Sequence, residues 1–221
     1  MGLSPAEKVA QILPVLEARY GAVTTELHYE NPYQLAVAVV LSAQCTDVRV
    51  NQTTPAFFAR FPDFASLAAA TPEQVLPFIR SISYPNSKAQ RLVQLARTVV
   101  EKYSGELPKD PAELQNLPGI GRKSANVIAS VLWEAPVIAV DTHVFRVSRR
   151  LGLARGNTPE KVEQELSSII PPAYLGRAHH WLILFGRYHC TARRPKCDEC
   201  PFTDLCDAYQ NALLRSPRSS G

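Results

Sequence analysis

Residues 114–128 read Leu114-Gln115-Asn116-Leu117-Pro118-Gly119-Ile120-Gly121-Arg122-Lys123-Ser124-Ala125-Asn126-Val127-Ile128. Leu114 and Leu117 stand three apart on one predicted helix, and Ala125 and Ile128 three apart on the next, so the stretch is two short amphipathic helices joined by a turn. Two glycines in that turn, Gly119 and Gly121, permit positive φ and leave backbone N–H groups uncovered by side chains. Those donors fall at the start of the second helix, where the helix dipole favours an anion. A backbone phosphate of a nucleic acid fits there without any base being read, with Gly119, Ile120, Gly121 and Arg122 as its contacts. A plain helix–turn–helix packed in a core is the alternative. The leucines before the turn, the small Ala125 after it and the adjacent Arg122-Lys123 pair favour the phosphate-binding hairpin.

The punctuation on either side is also helical. Ser4-Pro5-Ala6-Glu7 reads as an N-cap, a proline at the first helical position and a capping-box acid, and Asp110-Pro111-Ala112-Glu113 repeats it. Thr71-Pro72 and Thr158-Pro159 offer a polar cap and a proline. Most of the 18 prolines therefore start helices. Pro14 falls inside the apolar spacing Val9, Ile12, Leu13, Leu16 and predicts a kink or an early stop. From Asn86 to Tyr103 the apolar residues Ala89, Leu92, Val93, Ala96, Val99, Val100 and Tyr103 share one face, with Gly105 placed to end the helix. Val137 to Val140 is the single candidate strand, and the tail from Ser216 to Gly221 reads as disordered. The fold class is all-α.

The chain has 221 residues, 46% hydrophobic and 20% charged, ordinary values for a globular protein. The longest apolar run, around Leu35 to Leu41, falls far short of the roughly 18 residues of a membrane span. Met1 to Lys8 lacks the pattern of an export signal, so a cytoplasmic monomer is expected, without a membrane partner. A net charge of +4 permits an anionic partner without requiring one.

Four of the five cysteines, Cys190, Cys197, Cys200 and Cys206, follow C-x6-C-x2-C-x5-C. Four thiols so close together, beside Arg187, Arg193, Arg194 and Lys196 that offset thiolate charge, indicate a metal site. Zinc accepts four thiolates as readily as an iron–sulphur cluster does. Cys45, in an apolar helix-like context, reads as buried and inert.

Together these motifs resemble the endonuclease III family of helix–hairpin–helix DNA glycosylases. The similarity runs from about Thr24 to Cys206 and includes Leu41-Ser42-Ala43-Gln44, Asn86-Ser87-Lys88-Ala89 and Ala139-Val140-Asp141-Thr142-His143. The resemblance implies a 4Fe–4S cluster on the four cysteines, and a catalytic pair in which Lys123 is the nucleophile and Asp141 stabilises charge on the sugar. A lysine attacks only when neutral; partial burial, the neighbouring Arg122 and the helix N-terminus would all favour that form. Asp141 also reads as a helix N-cap. The resemblance places Gln44 and residue 84 where the gap left by an extruded nucleotide is filled. The family usually has leucine followed by tyrosine there; this chain has Tyr84 followed by Pro85, which would stiffen the loop, and Ser83 where glycine is common. His143 is a further candidate DNA contact or a structural histidine, and Arg194 and Lys196 lie on the loop that the cluster would hold against DNA.

The implied architecture is two helical lobes with a DNA-binding cleft between them. One is a helical barrel, 25–135, and the other is the cluster domain, formed by 1–24 and 136–221. The implied activity is that of a glycosylase and AP lyase acting on duplex DNA with oxidised pyrimidines or abasic sites. A monofunctional adenine glycosylase would want an acid near Val39 and no lysine at 123. A non-catalytic DNA-binding module would leave Lys123, Asp141 and the metal site unexplained.

Overall fold

Among the described residues six α-helices begin on a proline at their first position, because proline lacks the N–H that a first turn leaves unpaired in any case. In the computed structural model, which describes residues 2–215, the order is α1 (Pro5–Tyr20), α2 (Pro32–Ser42), α3 (Asp47–Arg60), α4 (Phe64–Ala68), α5 (Pro72–Ile79) and α6 (Pro85–Tyr103). There follow α7 (Pro111–Gln115), α8 (Arg122–Trp133), α9 (Thr142–Leu151), α10 (Pro159–Ile169), α11 (Leu175–Tyr188) and α12 (Asp207–Arg215). The described residues contain no strand, so the strand expected at Val137–Val140 is absent. The tail from Ser216 lies outside the described residues.

Caps of the expected kind set the helix starts. Ser4 Oγ accepts from Glu7 N–H while the Glu7 carboxylate accepts from Ser4 N–H at 2.7 Å. Asn31, Asp63, Asp110 and Thr158 cap α2, α4, α7 and α10 with a side-chain oxygen, and Asp63 forms the reciprocal box with Ser66. Of the kink or early stop expected at Pro14 the stop is absent, since α1 runs on to Tyr20. Pro14 and Ala10 both face solvent, so water can satisfy the carbonyl that proline deprives of its partner. Helix α6 starts one residue earlier than predicted, with Pro85 inside it, and ends through Ser104 in the left-handed conformation and a Gly105 N–H to Val99 carbonyl bond. Its buried face includes Leu95, whereas Val100 lies on the exposed side.

The chain divides into two compact units, 25–135 and the pairing of 1–24 with 136–221. In the first, α6 packs on α2, α4 and α5, and α8 packs on α2 and α7. Helix α2 is buried on every side from Leu35 to Leu41, which explains why it carries a continuous apolar run and not a stripe. Rings of Tyr33, Phe57, Phe61 and Phe64 fill the space beside it, and Tyr33 donates its hydroxyl proton to the Phe61 carbonyl at 2.7 Å. Burial pushes the Tyr33 phenol above its usual range.

In the second unit α11 packs against α1 and α9. Gly186 is required there, since a Cβ would stand 3.0 Å from both His143 Cβ and Val147 Cγ2. Trp181 is fully buried and donates to the Gly21 carbonyl at 2.9 Å, anchoring the end of α1. At the other end of α1, buried Lys8 donates to the Leu151 carbonyl at 3.0 Å and pairs with Asp207 at the start of α12. Gly152, φ +78°, leaves no room for a Cβ beside that pair.

His179 and His180 sit inside this unit, and the two rings meet edge to face. Burial, with the neighbouring His179, lowers the His180 imidazole from its ordinary 6.5 to about 3. The unfolded chain therefore binds a proton here at pH values where the folded chain does not. The corresponding stability is fully present above pH about 6.5 and is lost progressively as pH falls toward 3. Urea denaturation at pH 7 and pH 4.5 should show the fall, and His180→Phe should flatten it; an unchanged slope in that variant would remove His180 as the cause.

Candidate functional site

The turn between α7 and α8 holds two glycines that do different work. Gly119 has φ +82°, and a Cβ there would stand 3.2 Å from Arg91 Cβ on α6 and 3.5 Å from Val40 Cγ1 on α2. It is glycine both for its backbone conformation and for close packing of the hairpin on those helices. Gly121 has φ −88° and caps α8, with nothing within 4 Å of a Cβ position. Positive φ was expected at the pair, but at Gly121 only an uncovered helix start calls for glycine. Leu117, predicted on the first helix, lies just beyond α7, although it and Leu114 are both buried. Ile120 is buried as well, and its N–H donates to the Leu117 carbonyl, so its side chain anchors the turn from below. The first N–H groups of α8 therefore start at an open face bearing Arg122 and Lys123.

Lys123 is exposed in the first turn of α8, so the partial burial expected for it is absent. Asp141 is half-buried and caps α9: its Oδ1 accepts from His143 N–H and Val144 N–H, both at 2.8 Å. Among the described residues no donor is given to its other oxygen. The extended segment leading to Asp141 is held from beneath, where His179 Nδ1 donates to the Ala139 carbonyl at 2.7 Å. His143 Nδ1 lies 3.2 Å from Arg146 Nη2, which ties its ring to the protein.

Gln44 and Tyr84, paired by resemblance, are also paired in space. Both are exposed non-glycine residues in the left-handed region, φ 54° and 56°. Such backbone costs on the order of 1–3 kcal/mol and gathers at functional sites. Ser83 Oγ donates to the Gln44 carbonyl at 2.8 Å, joining the two loops. Lys88, whose importance the sequence did not reveal, holds the first loop: its buried ammonium donates to the carbonyls of Leu41, at 2.8 Å, and Ala43, at 2.6 Å. Burial lowers its pKa, opposed by nearby Cys45. Tyr84 is 65% exposed and so is not a packed loop anchor. Pro85, which follows that loop, is the first residue of α6. Cys45 is half-buried in the turn after α2, not buried in a helix.

Cys190, Cys197, Cys200 and Cys206 line one cavity of about 230 Å³ together with Arg150, Phe185 and His189. Burial and the neighbouring thiols push Cys200 and Cys206 above the ordinary thiol value, so ionising all four needs a compensating cationic centre. The four thiols face one shared space, and a set of four thiolates suits an iron–sulphur cluster.

Two arginines that the sequence did not single out hold the loop. Arg150 donates to Cys190 Sγ at 3.4 Å and to the carbonyls of Thr191, at 2.7 Å, and Ala192, at 2.8 Å. Arg146 donates to the carbonyls of Gly186, at 2.8 Å, and Cys190, at 3.2 Å. Thr191 Oγ1 donates to the Arg194 carbonyl at 2.7 Å, so Arg193, Arg194 and Lys196 project from a loop with a fixed backbone.

Residues 37–172 match the HhH-GPD superfamily of base excision DNA repair proteins, and 190–206 match the iron–sulphur binding domain of endonuclease III. Endonuclease III of Rickettsia felis is 44% identical over 95% of this chain and 98% of its own. A solved non-covalent endonuclease III–DNA complex superposes with a TM-score of 0.90 at 40% identity, covering 96% of this chain and 100% of that one. A trapped endonuclease III–DNA covalent intermediate superposes with a TM-score of 0.89, also at 40% identity, over 96% and 99% of the two chains. No helix among the described residues is long and apolar enough to cross a membrane. The chain therefore belongs to the endonuclease III family, within the HhH-GPD superfamily of base excision DNA repair proteins, and its cysteine loop is the site of a 4Fe–4S cluster.

Proposed function

We propose that this enzyme removes oxidised pyrimidines from duplex DNA and then cuts the strand at the resulting abasic site, acting where the cell keeps its DNA, in the cytoplasm. The observation that carries this reading is the amine of Lys123, exposed one residue after the first position of α8, beside the open hairpin start. A phosphate seated on the N–H groups around Gly119–Arg122 brings a sugar within reach of that amine.

The neutral amine attacks the anomeric carbon of the damaged nucleotide. A C–N bond to Lys123 forms as the glycosidic C–N bond breaks, and the base leaves with the bonding pair and takes up a proton. Sugar opening gives a protonated Schiff base, which acidifies the neighbouring C–H and lets the 3′ phosphate depart by β-elimination. Asp141 offsets the positive charge that builds on the sugar. With Oδ1 committed to the α9 cap, the second carboxylate oxygen is the one free for that task. Gln44 and Tyr84 occupy the space that the extruded nucleotide leaves, while Arg194, Lys196 and His143 contact the flanking strand. Val39, where a monofunctional adenine glycosylase would want an acid, is a buried valine of α2. The cluster, when bound, supplies a rigid frame for the basic loop, and its four protein thiolates leave it no open position for hydrolysis.

Borohydride should trap the Schiff base as a covalent adduct with abasic duplex, and Lys123→Gln should abolish both trapping and base release. Its exposure predicts an unchanged fold, so normal strand cutting by that variant would overturn the assignment. Asp141→Asn keeps the cap oxygen but removes the charge. It should bind lesion DNA normally and excise on the order of 100-fold more slowly in single turnover; weakened binding with a normal rate would leave Asp141 as a cap alone. Tyr84→Ala should weaken binding to lesion or abasic duplex by about 1–3 kcal/mol, the range for one base–aromatic stack, and leave undamaged duplex nearly unaffected. Equal losses on both would make Gln44 the sole wedge.

A further inference from the structure

His189 stands one residue before the first cluster ligand and plays no part in the chemistry above. Its side chain is 3% exposed, and Nε2 is buried without a hydrogen-bond partner among the described residues. A buried polar atom left in that state is costly and rare enough to call for an explanation. The ring is not loosely placed. It stacks on Phe185 at 4.9 Å and 23°, its backbone N–H donates to the Phe185 carbonyl, and its own carbonyl accepts from Lys196 N–H at 3.1 Å. His189 also lines the same cavity as Cys190, Cys197, Cys200 and Cys206.

We infer that His189 Nε2 carries a proton and donates it as a hydrogen bond to a sulphur of the bound 4Fe–4S cluster, so that His189 sets the cluster's reduction potential. The chemistry of the filled cavity fixes the direction. Thiolates and sulphides are acceptors only, so a ring nitrogen facing them is satisfied as a donor and not as an acceptor. Reduction adds negative charge at sulphur, so an N–H dipole aimed there stabilises the reduced state more than the oxidised one. Arg150, already bonded to Cys190 Sγ, contributes in the same sense from another part of the cavity wall. His189 is thus a positioning and tuning residue for the cofactor, with no contact to DNA required.

The inference rests on the cluster occupying this cavity, which visible absorbance and iron content of the purified holoprotein test separately. Holoprotein labelled with 15N-histidine, its cluster made paramagnetic by one-electron oxidation or reduction, should show a 15N coupling in pulsed EPR, together with an exchangeable deuteron after transfer to D2O. His189→Phe keeps the stacked ring but removes the donor. It should retain its iron, lose the 15N coupling and shift the midpoint to a more negative potential. An unchanged potential in iron-replete His189→Phe would overturn the inference. So would the absence of 15N coupling in the labelled wild-type protein, a readout that does not depend on the variant folding.

Discussion

A buried ammonium holds together the part of the 25–135 unit that faces DNA in the proposed function. Lys88, on the first turn of α6, donates to two carbonyls at the end of α2. Those carbonyls have no partner within their own helix, and Lys88 satisfies them while fixing where the chain turns at Gln44. One helix start and one helix end are thereby locked to each other, and each carries an exposed residue in the left-handed region. The hairpin rests on the same two helices through Gly119, which has space for a hydrogen but little for a methyl group beside Arg91 and Val40. The hairpin and the two wedge loops thus share one rigid base. A change in the α2–α6 packing would disturb them together.

The other unit solves a similar problem with guanidinium groups. The loop carrying four thiols anchors one ring, Phe202, against Phe185, and its carbonyls still need donors. Arg146 and Arg150 project from α9 and take up carbonyls of that loop and of α11. Planar, multiply donating side chains suit this role, since one residue satisfies several backbone oxygens at once. The same helix is capped by Asp141. The catalytic carboxylate proposed above and the frame of the cluster loop therefore stand on one short rigid element. Loss of the cluster would loosen the loop first and α9 through it.

The proposed nucleophile and the proposed carboxylate occupy contrasting settings. Lys123 is exposed and bordered by Arg122 and a helix start, whereas Asp141 is half-buried with one oxygen already engaged. In the proposed reaction an exposed amine needs no uncovering before it meets the sugar. An anchored carboxylate cannot reorganise as charge develops, which is the condition under which a fixed charge lowers a barrier most.

What the sequence determined by itself was everything encoded over a few adjacent residues. Helix starts at Ser4, Asp110 and Thr158, the Gly119–Gly121 hairpin, the four-cysteine loop and the all-α class depend on local conformation and near-neighbour spacing, which a linear reading captures. That α1 continues through Pro14 and that α6 begins at Pro85 turn on solvent exposure and on the first-turn position, which local pattern alone leaves open. Tertiary structure decided the rest. That Lys88 caps a helix 45 residues away from its own position, that His179 supports Ala139, and that Arg146 and Arg150 grip the cluster loop are contacts between segments distant in the chain. His189 belongs with them: beside Cys190 it reads as one more polar residue, and only burial of its unpaired nitrogen in the wall of the cysteine cavity gives it a role.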